Sequence, residues 1–182
     1  FRKELLDRLN LKFNCIPAHI DEQKVWPSNT DPNEVAITLS KMKALKVFET
    51  NQSDIVIGSD QVITQNGQIF GKPKTIENAL NQLKSLQGKP HSLITGVCIK
   101  SKDKEVIFSN KTILTIRADL TEENLINYIK QDQPLFCAGS YKIEGKGIAL
   151  FEKVETTDFT SIIGLPLMQL SKELQKFGLE VL

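Results

Sequence analysis

The sequence predicts a single α/β domain with an antiparallel component, and three observations support this fold class. Segments with apolar residues at helical spacing alternate with uninterrupted apolar runs, as helices alternate with buried strands. Asn66-Gly67 separates two short apolar segments, as in a two-residue β-hairpin. The 182 residues suffice for one domain with a sizeable core, and neither a repeat nor a linker divides residues 1–182.

Five helices are predicted from apolar spacing and from their capping residues. The second helix has the clearest start, because Asp31 can accept hydrogen bonds from its first turn and Pro32 suits its first position. Thr75 and Thr121 are N-caps of the same kind. The predicted helices cover residues 2–10, 32–49, 76–87, 122–133 and 167–177.

Strands are predicted where apolar residues run without interruption between turn signals. The run from Asp54 to Asp60 ends in small and acidic residues, and the arms of the hairpin follow it. Two longer strands flank the charged turn Ser101–Lys104. The predicted strands cover residues 13–16, 54–60, 62–64, 68–70, 91–100 and 105–117, with loop-like residues at 17–31 and a glycine-rich stretch at 135–151.

The composition excludes several classes of function. The net charge is +1, so no overall electrostatic attraction draws the chain to nucleic acid or to a membrane surface. No apolar run approaches the ~18 residues of a membrane span. Cys15, Cys98 and Cys137 are far apart, and each lies in or beside an apolar stretch, which is typical of buried, reduced thiols. We therefore expect a cytoplasmic protein with neither a nucleic-acid nor a membrane partner.

Two acidic segments are candidates for a catalytic or metal-binding site. Asp60 ends an apolar strand, where open α/β sheets commonly bind ligands, although a polar turn that merely closes the strand has the same pattern. Asp21 and Glu22 are adjacent in a loop, so they could hold a divalent metal through carboxylate oxygens or simply be solvated.

Two lysines and one glycine-rich segment are candidates for contacts with a phosphorylated ligand. Lys43 lies on an otherwise apolar helix face, so its ammonium group either reaches solvent or points into a cleft. Lys72 is presented on the stiff loop Gly71–Pro73, which suits a phosphate contact but also an exposed turn. Small residues in Cys137–Gly145 allow a flat ligand to approach, with Glu144 as acceptor, or they form a plain connection.

Taken together and in this order, these segments resemble the Maf family of nucleotide pyrophosphatases. The resemblance implies an elongated α/β domain with a central mixed, twisted sheet flanked by helices and with a deep cleft, similar to the inosine-triphosphate pyrophosphatases. It also implies hydrolysis of a nucleoside triphosphate to the monophosphate and pyrophosphate with Mg²⁺ or Mn²⁺, and a homodimer. The matching segments are Arg2 with Glu4–Leu6, Asp21–Glu22, Leu39–Ala44, Ile57–Gln61, Gly71–Pro73, Thr95–Gly96, Cys137–Ser140, Gly145–Ile148 and Ile163–Pro166.

The resemblance assigns roles to five charged residues. Asp60 matches the catalytic carboxylate of the family, and the other charged active-site positions are matched by Arg2, Glu22, Lys43 and Lys72. The cationic side chains can neutralise phosphate charge. Glu22 and Asp60 can hold the metal, and Asp60 can accept a proton from the attacking water. Whether Asp60 acts mainly as base or as metal ligand stays open.

The branch of the family is predicted from three positions. Gln61 and the segment Ser140–Glu144 resemble the branch that hydrolyses 7-methyl-GTP, and Phe1 matches an aromatic specificity position there. Glu144 can accept both N–H groups of a guanine edge, and a methylated, cationic base favours a carboxylate and an aromatic face. The branch acting on dTTP and UTP typically has Thr where Gln61 stands.

Two alternatives remain at this point. One is a Maf pyrophosphatase that acts on dTTP, UTP or CTP, and the other is a non-catalytic nucleotide-binding regulator on the same fold. The family also begins with a strand and a serine-rich loop, of which only Phe1 and Arg2 are matched here, so we expect such a segment to precede Phe1.

Overall fold

The computed structural model describes residues 1–22 and 31–182, so the predicted loop at residues 17–31 lies partly outside the described residues. The described residues form an α/β fold, as predicted. The helices are α1 (Arg2–Asp7), α2 (Pro32–Phe48), α3 (Ile76–Leu86), α4 (Glu122–Asp132) and α5 (Leu167–Gln175). The strands are β1 (Val56–Gln65), β2 (Gln68–Phe70), β3 (Pro90–Lys100), β4 (Glu105–Ile116) and β5 (Phe151–Glu155).

The five strands form one sheet in the order β2-β1-β3-β4-β5. β1 pairs with β2 in antiparallel orientation, and β4 pairs with β5 in the same way. In the predicted hairpin Gln65 is opposite Gln68, and Asn66 and Gly67 have φ values of 52° and 81°. Both turn residues are left-handed, as the twist of a two-residue hairpin requires, so this prediction is confirmed.

The predicted helix starts are confirmed by their side-chain caps. The Asp31 carboxylate accepts a hydrogen bond from the Asn33 amide at 3.0 Å, and the Thr75 hydroxyl accepts one from the Asn78 amide at 3.1 Å. Thr121 caps α4 in a reciprocal arrangement with the Asn124 side chain. Each cap satisfies a backbone donor in the first turn of its helix, which is why these local signals were sufficient.

Two strand predictions were wrong, and one strand was not predicted. β1 runs without a break from Val56 to Gln65, so Asp60 lies inside the strand and not at its end. Residues 13–16 form no strand. β5 was not predicted, because four of its five residues are exposed and its sequence therefore lacks the apolar alternation of a half-buried strand.

Contacts divide the described residues into two compact units. In the first unit an apolar face of α5 packs in a core with α1, β3 and β4, through Leu5, Val97, Phe108, Leu170 and Leu174. The first unit comprises Phe1–Gln61, Ile94–Lys111 and Thr157–Leu182. In the second unit, which comprises Val62–Leu93 and Thr112–Thr156, α3 contacts α4.

Two expectations from composition can be compared with the structure. The three cysteines are free, but only Cys98 is fully buried, and the prediction is wrong for Cys15, which is exposed. An apolar neighbour such as Ile16 did not bury Cys15, because Ile16 is itself 48% exposed. None of the helices in residues 1–22 and 31–182 has the length and hydropathy of a membrane-spanning segment.

Candidate active site

Two glycines let α2 lie directly against the sheet in the first unit. A methyl group at Gly58 would lie 2.3 Å from the Ser40 carbonyl oxygen and 2.6 Å from the Ala44 amide nitrogen. At Gly96 it would lie 2.4 Å from the Ala36 carbonyl oxygen. These distances are far below van der Waals contact, so no side chain fits at either of these two positions, which face α2 from strands β1 and β3. This close approach brings Lys43 of α2 next to β1.

Lys43 contacts two carboxylates at this position. Its Nζ atom lies 2.5 Å from Oδ1 of Asp60 and 2.7 Å from Oε1 of Glu22. The Asp60 side chain is 12% exposed, the Lys43 side chain 20% and the Glu22 side chain 37%. The structure thus brings together three of the predicted charged residues, with Asp60 the most buried and Glu22 the most open to solvent.

The environment of Asp60 raises the pKa of its carboxyl group. Removal of the carboxylate from water is the largest cause, and the charge of Glu22 acts in the same direction. The charges of Lys43 and Arg2, together with the hydrogen bond from Lys43, lower the pKa and partly oppose the effect of burial. A carboxylate with a raised pKa binds a proton more tightly than one in water, which suits a general base.

Arg2 is held by the backbone of a distant segment. Its Nε donates to the carbonyl oxygen of Gly164 at 3.0 Å, and the buried Ser59 hydroxyl donates to the same oxygen at 2.9 Å. Gly164 has a φ of 125°, which only glycine adopts readily, and a methyl group there would lie 3.1 Å from Arg2 Nε. One carbonyl oxygen therefore anchors both Arg2 and the residue that precedes Asp60.

The Gln61 side chain is hydrogen-bonded to its own unit. Its Nε2 atom donates to the carbonyl oxygens of Ser161 at 2.8 Å and Ile162 at 3.1 Å, and to the hydroxyl of Thr95 at 3.1 Å. The Thr95 hydroxyl in turn donates to Ser161 at 2.8 Å. The predicted role of Gln61 in base selection stays a prediction. Its Nε2 atom is already engaged by these three acceptors.

A cavity of about 760 Å³ in the first unit adjoins the charged residues. Arg2, Glu22, Lys43 and Ser59 are among the residues that line it. Its volume falls within the range of small-molecule sites. Its apolar lining includes Leu6, Val47, Ile55, Ile57, Leu165 and Leu179.

Lys72 and Glu144 belong to the second unit, and both are exposed. Both charges influence the pKa of the Cys137 thiol. Burial is the largest cause and raises this pKa, and Glu144 acts in the same direction, whereas Lys142 and Lys72 lower it. The two residues therefore share one charged neighbourhood around this thiol. Phe1, the third residue predicted to select the base, is 58% exposed in the first unit.

Hydrogen bonds fix the segment that precedes Glu144 within the second unit. The Ser140 hydroxyl donates to the Gln82 side chain at 2.6 Å, and the Lys142 amide donates to the Tyr128 hydroxyl at 2.9 Å. The Tyr141 ring lies against Phe151, with ring centroids 4.9 Å apart. The backbone on which Glu144 is carried is thus held from three sides.

Sequence reasoning assigned no role to Gly164, Ser161 or Thr95. Gly164 and Thr95 lie in two of the segments that match the family, Ile163–Pro166 and Thr95–Gly96, but neither segment indicates the contact between Arg2 and Gly164. That contact joins positions 162 residues apart, so local patterns could not reveal it.

Comparison with known protein families and proteins identifies the family of this chain. A family model described as Maf-like protein matches residues 1–177, and the chain therefore belongs to the Maf family. A 7-methyl-GTP pyrophosphatase of Bdellovibrio bacteriovorus is 39% identical over 179 residues, which cover 98% of this chain and 93% of that protein.

Other relatives carry different substrate names. A dTTP/UTP pyrophosphatase of Bacillus cytotoxicus is 39% identical over 176 residues, with coverage of 97% of this chain and 90% of its own length. One from Bacillus cereus is 36% identical over 180 residues, with coverage of 99% and 92%. The predicted enzyme class, a nucleoside-triphosphate pyrophosphatase, is confirmed by these relatives, whose names differ in the base of the substrate.

Proposed function

We propose that this chain hydrolyses 7-methyl-GTP to the nucleoside monophosphate and pyrophosphate. The observation that carries the reaction is the buried Asp60 carboxylate, held against Lys43 with Glu22 at the same ammonium group. A water molecule attacks the α-phosphorus, the bond from that phosphorus to the bridging oxygen breaks, and pyrophosphate leaves with the electron pair. Asp60 accepts the proton of the attacking water, and its raised pKa matches that task.

The cationic side chains of the first unit suit the charge of the reaction. A nucleoside triphosphate has about four negative charges, and charge on the leaving pyrophosphate increases as the bond breaks. Lys43 supplies a positive charge within reach of Asp60. Arg2 is anchored through its Nε, so its two terminal nitrogens can bind phosphate oxygens in parallel. We propose that Lys72 contacts the same phosphates.

The donor set of the first unit fits a divalent metal ion. Carboxylate oxygens of Asp60 and Glu22 already converge on one cationic group, the Lys43 ammonium, at 2.5 and 2.7 Å. Within the described ranges no group of three or more His, Cys, Asp and Glu side chains could hold a metal. Mg²⁺ typically takes one or two carboxylates and completes its coordination with water and substrate phosphates, which matches this pair. When bound, such an ion polarises phosphate oxygens and acidifies water.

Glu144 supports the choice of base. Its exposed carboxylate can accept two parallel hydrogen bonds from the N1–H and N2–H groups of guanine. Methylation at N7 makes the ring cationic, so a carboxylate and an exposed aromatic face such as Phe1 both favour it. The same carboxylate would face carbonyl oxygens in uracil or thymine and would be repelled.

A pyrimidine triphosphate is the second candidate substrate. It is favoured by the relatives named for dTTP and UTP, one of which is as similar in identity as the relative named for 7-methyl-GTP. The two candidates share the chemistry of Asp60, Lys43 and Glu22 and differ only in recognition of the base.

Pyrophosphate release by the full-length protein with Mg²⁺ or Mn²⁺ tests the proposal. The substrates are 7-methyl-GTP, dTTP, UTP and CTP, with GTP as the matched control for the methyl group. The proposal predicts the highest kcat/KM with 7-methyl-GTP. A preference for a pyrimidine triphosphate would establish the second candidate, and release from none of the five would favour a non-catalytic nucleotide-binding protein.

A further inference from the structure

We propose that Asp158 is a positioning residue for Arg2 and that it acts through the backbone turn Phe159–Gly164. The proposal rests on the proposed function in so far as Arg2 binds the phosphates of the substrate. Asp158 itself is nearly fully buried, with 3% of its surface exposed, and it was not among the residues that the sequence singled out.

The Asp158 carboxylate ties two backbone segments together. Its Oδ1 atom accepts from the Thr160 amide at 3.1 Å and from the Thr160 hydroxyl at 2.7 Å. Its Oδ2 atom accepts from the Met168 amide at 2.8 Å and the Gln169 amide at 3.4 Å, both in the first turn of α5. A negative charge is favourable at a helix N-terminus, so the carboxylate joins the turn to the start of α5. The Thr160 hydroxyl reinforces this by accepting from the Leu167 amide at 2.8 Å.

The carbonyl groups of this turn face β1, the strand that carries Asp60. Both neighbours of Asp60 donate to them, Ser59 to Gly164 and Gln61 to Ser161 and Ile162. Since successive side chains of a strand point to opposite faces, Ser59 and Gln61 can bond to the turn while Asp60 faces Lys43. The turn is thus a row of fixed acceptors behind the catalytic residue.

Arg2 depends on the same row of acceptors. It lies at the start of a helix of only six residues, and its Nε is bonded to Gly164. That bond fixes one edge of the guanidinium group and leaves the other edge for phosphate oxygens. Because Arg2 Nε donates to the Gly164 carbonyl oxygen at 3.0 Å, a displacement of the turn stretches or redirects this bond and so changes the position of Arg2.

The substitution Asp158→Asn tests this arrangement with little change in shape. Both carboxylate oxygens accept N–H groups in the native protein. An amide at this position must direct its NH₂ group at one of those donors in either orientation, so the tie between turn and helix is lost. The Arg2 bond to Gly164 should loosen as a result.

NMR spectroscopy of the arginine Nε–H groups provides a readout that does not depend on turnover. The chain has three arginines, Arg2, Arg8 and Arg117, so each signal can be assigned by substitution. Arg117 is an internal control, because its Nε donates to Asp119 at 3.0 Å in the second unit. In Asp158→Asn we expect about tenfold faster solvent exchange at Arg2 Nε–H, as for the loss of one hydrogen bond, and no change at Arg117.

Thr121→Ala is the matched control variant for the loss of a helix cap. It removes the side-chain cap of α4, which lies in the second unit, and should leave the exchange of Arg2 unchanged. The proposal would be overturned if the solvent exchange rate of Arg2 Nε–H were unchanged in Asp158→Asn, or if it changed equally in Thr121→Ala. This outcome does not depend on which nucleotide is the substrate.

A double-mutant cycle on kcat/KM separates positioning from general destabilisation. If Asp158 acts through Arg2, the factor lost in Asp158→Asn disappears when Arg2→Ala is already present. Equal factors in both backgrounds would contradict the proposal. The cycle uses the triphosphate that the protein hydrolyses fastest. A complete lack of turnover would count against the proposed function. The NMR result would in that case still decide the role of Asp158.

Discussion

Lys43 Nζ lies 2.5 Å from Oδ1 of Asp60, a contact between residues that are 17 positions apart on α2 and β1. The contact places a positive charge against a carboxyl group whose pKa is raised by burial, and this charge lowers that pKa. It exists because Gly58 leaves no side chain between the helix and the strand. The ionisation of the proposed base is therefore coupled to how closely α2 and β1 pack.

Removal of the Lys43 charge should shift the pH dependence of activity. Because the charge of Lys43 lowers the pKa of Asp60, Lys43→Met should raise that pKa further and move the acidic limb of the pH–rate profile to higher pH. At neutral pH we also expect a loss in kcat on the order of 10²-fold, as for the removal of one stabilising charge. The measurement is kcat between pH 5 and pH 10.

Lys43→Arg and Lys41→Met are the matched variants for this experiment. Lys43→Arg keeps the charge and should keep the acidic limb near its original position. Lys41 lies on the same helix but pairs with Glu105, so its removal should leave the profile unchanged. An acidic limb that does not move in Lys43→Met would separate Lys43 from the ionisation of Asp60.

Gly58→Ala should be strongly destabilising. The added methyl group would lie within 2.6 Å of two backbone atoms of α2, so the helix must move away from β1. We expect a loss of about 3 kcal/mol in the free energy of unfolding, typical of an overpacked core. Gly178→Ala is the comparison, since it has open space but a φ of 80° and should lose only about 1 kcal/mol. Equal losses in denaturant titrations would refute the close-packing argument.

His91 should make the protein less stable in mild acid. The residue is 2% exposed, and burial lowers the pKa of its ring from 6.5 to about 4. Between these values the unfolded chain binds the proton and the folded chain does not, so the stability that is present above pH 6.5 is lost as the pH falls toward 4. The loss should reach about 3 kcal/mol.

Denaturant unfolding at a series of pH values measures this slope. His91→Phe removes the titrating group, so its free energy of unfolding should change less between pH 6.5 and pH 4 than that of the native protein. His19→Asn is the control, because His19 is exposed and has a positive φ that Asn tolerates. A native-like slope in His91→Phe would show that another group causes the loss.

Glu144→Gln should change the ranking of substrates more than the chemical step. The amide cannot accept both guanine N–H groups and no longer attracts a cationic ring. We expect kcat/KM for 7-methyl-GTP to fall about 10- to 100-fold, as for the loss of a charge-assisted hydrogen bond, with a smaller change for other triphosphates. Glu152→Gln, at another exposed position of the second unit, is the control. An unchanged ranking would remove Glu144 from base recognition.

Local signals were sufficient for most of the fold. Asp31, Thr75 and Thr121 cap their helices through neighbours two or three positions away, and Asn66-Gly67 forms its turn within one hairpin. β5 could not be predicted in the same way. Its pairing with β4 keeps it in the sheet although four of its five residues are exposed, and pairing between distant strands leaves no pattern in a single sequence.

The charged residues of the site could be named, but their arrangement could not. The resemblance supplied Arg2, Glu22, Lys43 and Asp60, and the structure places them in one unit. The resemblance did not supply the role of Asp158. In the sequence, a buried carboxylate that accepts backbone N–H groups cannot be told from any other acidic residue before a turn. Close approach at Gly58 was equally hidden, since it depends on a helix more than ten residues away.

Pyrophosphate release by Asp60→Asn tests the central claim most directly. The account predicts a loss of kcat of about 10²- to 10⁴-fold, the range for removal of a general base. It also predicts an unchanged or increased free energy of unfolding at neutral pH, because a carboxyl group whose pKa is raised by folding loses its stabilising contribution as pH rises. Asp103→Asn, at an exposed turn, should remain fully active. Near-native release by a folded Asp60→Asn protein would contradict the account.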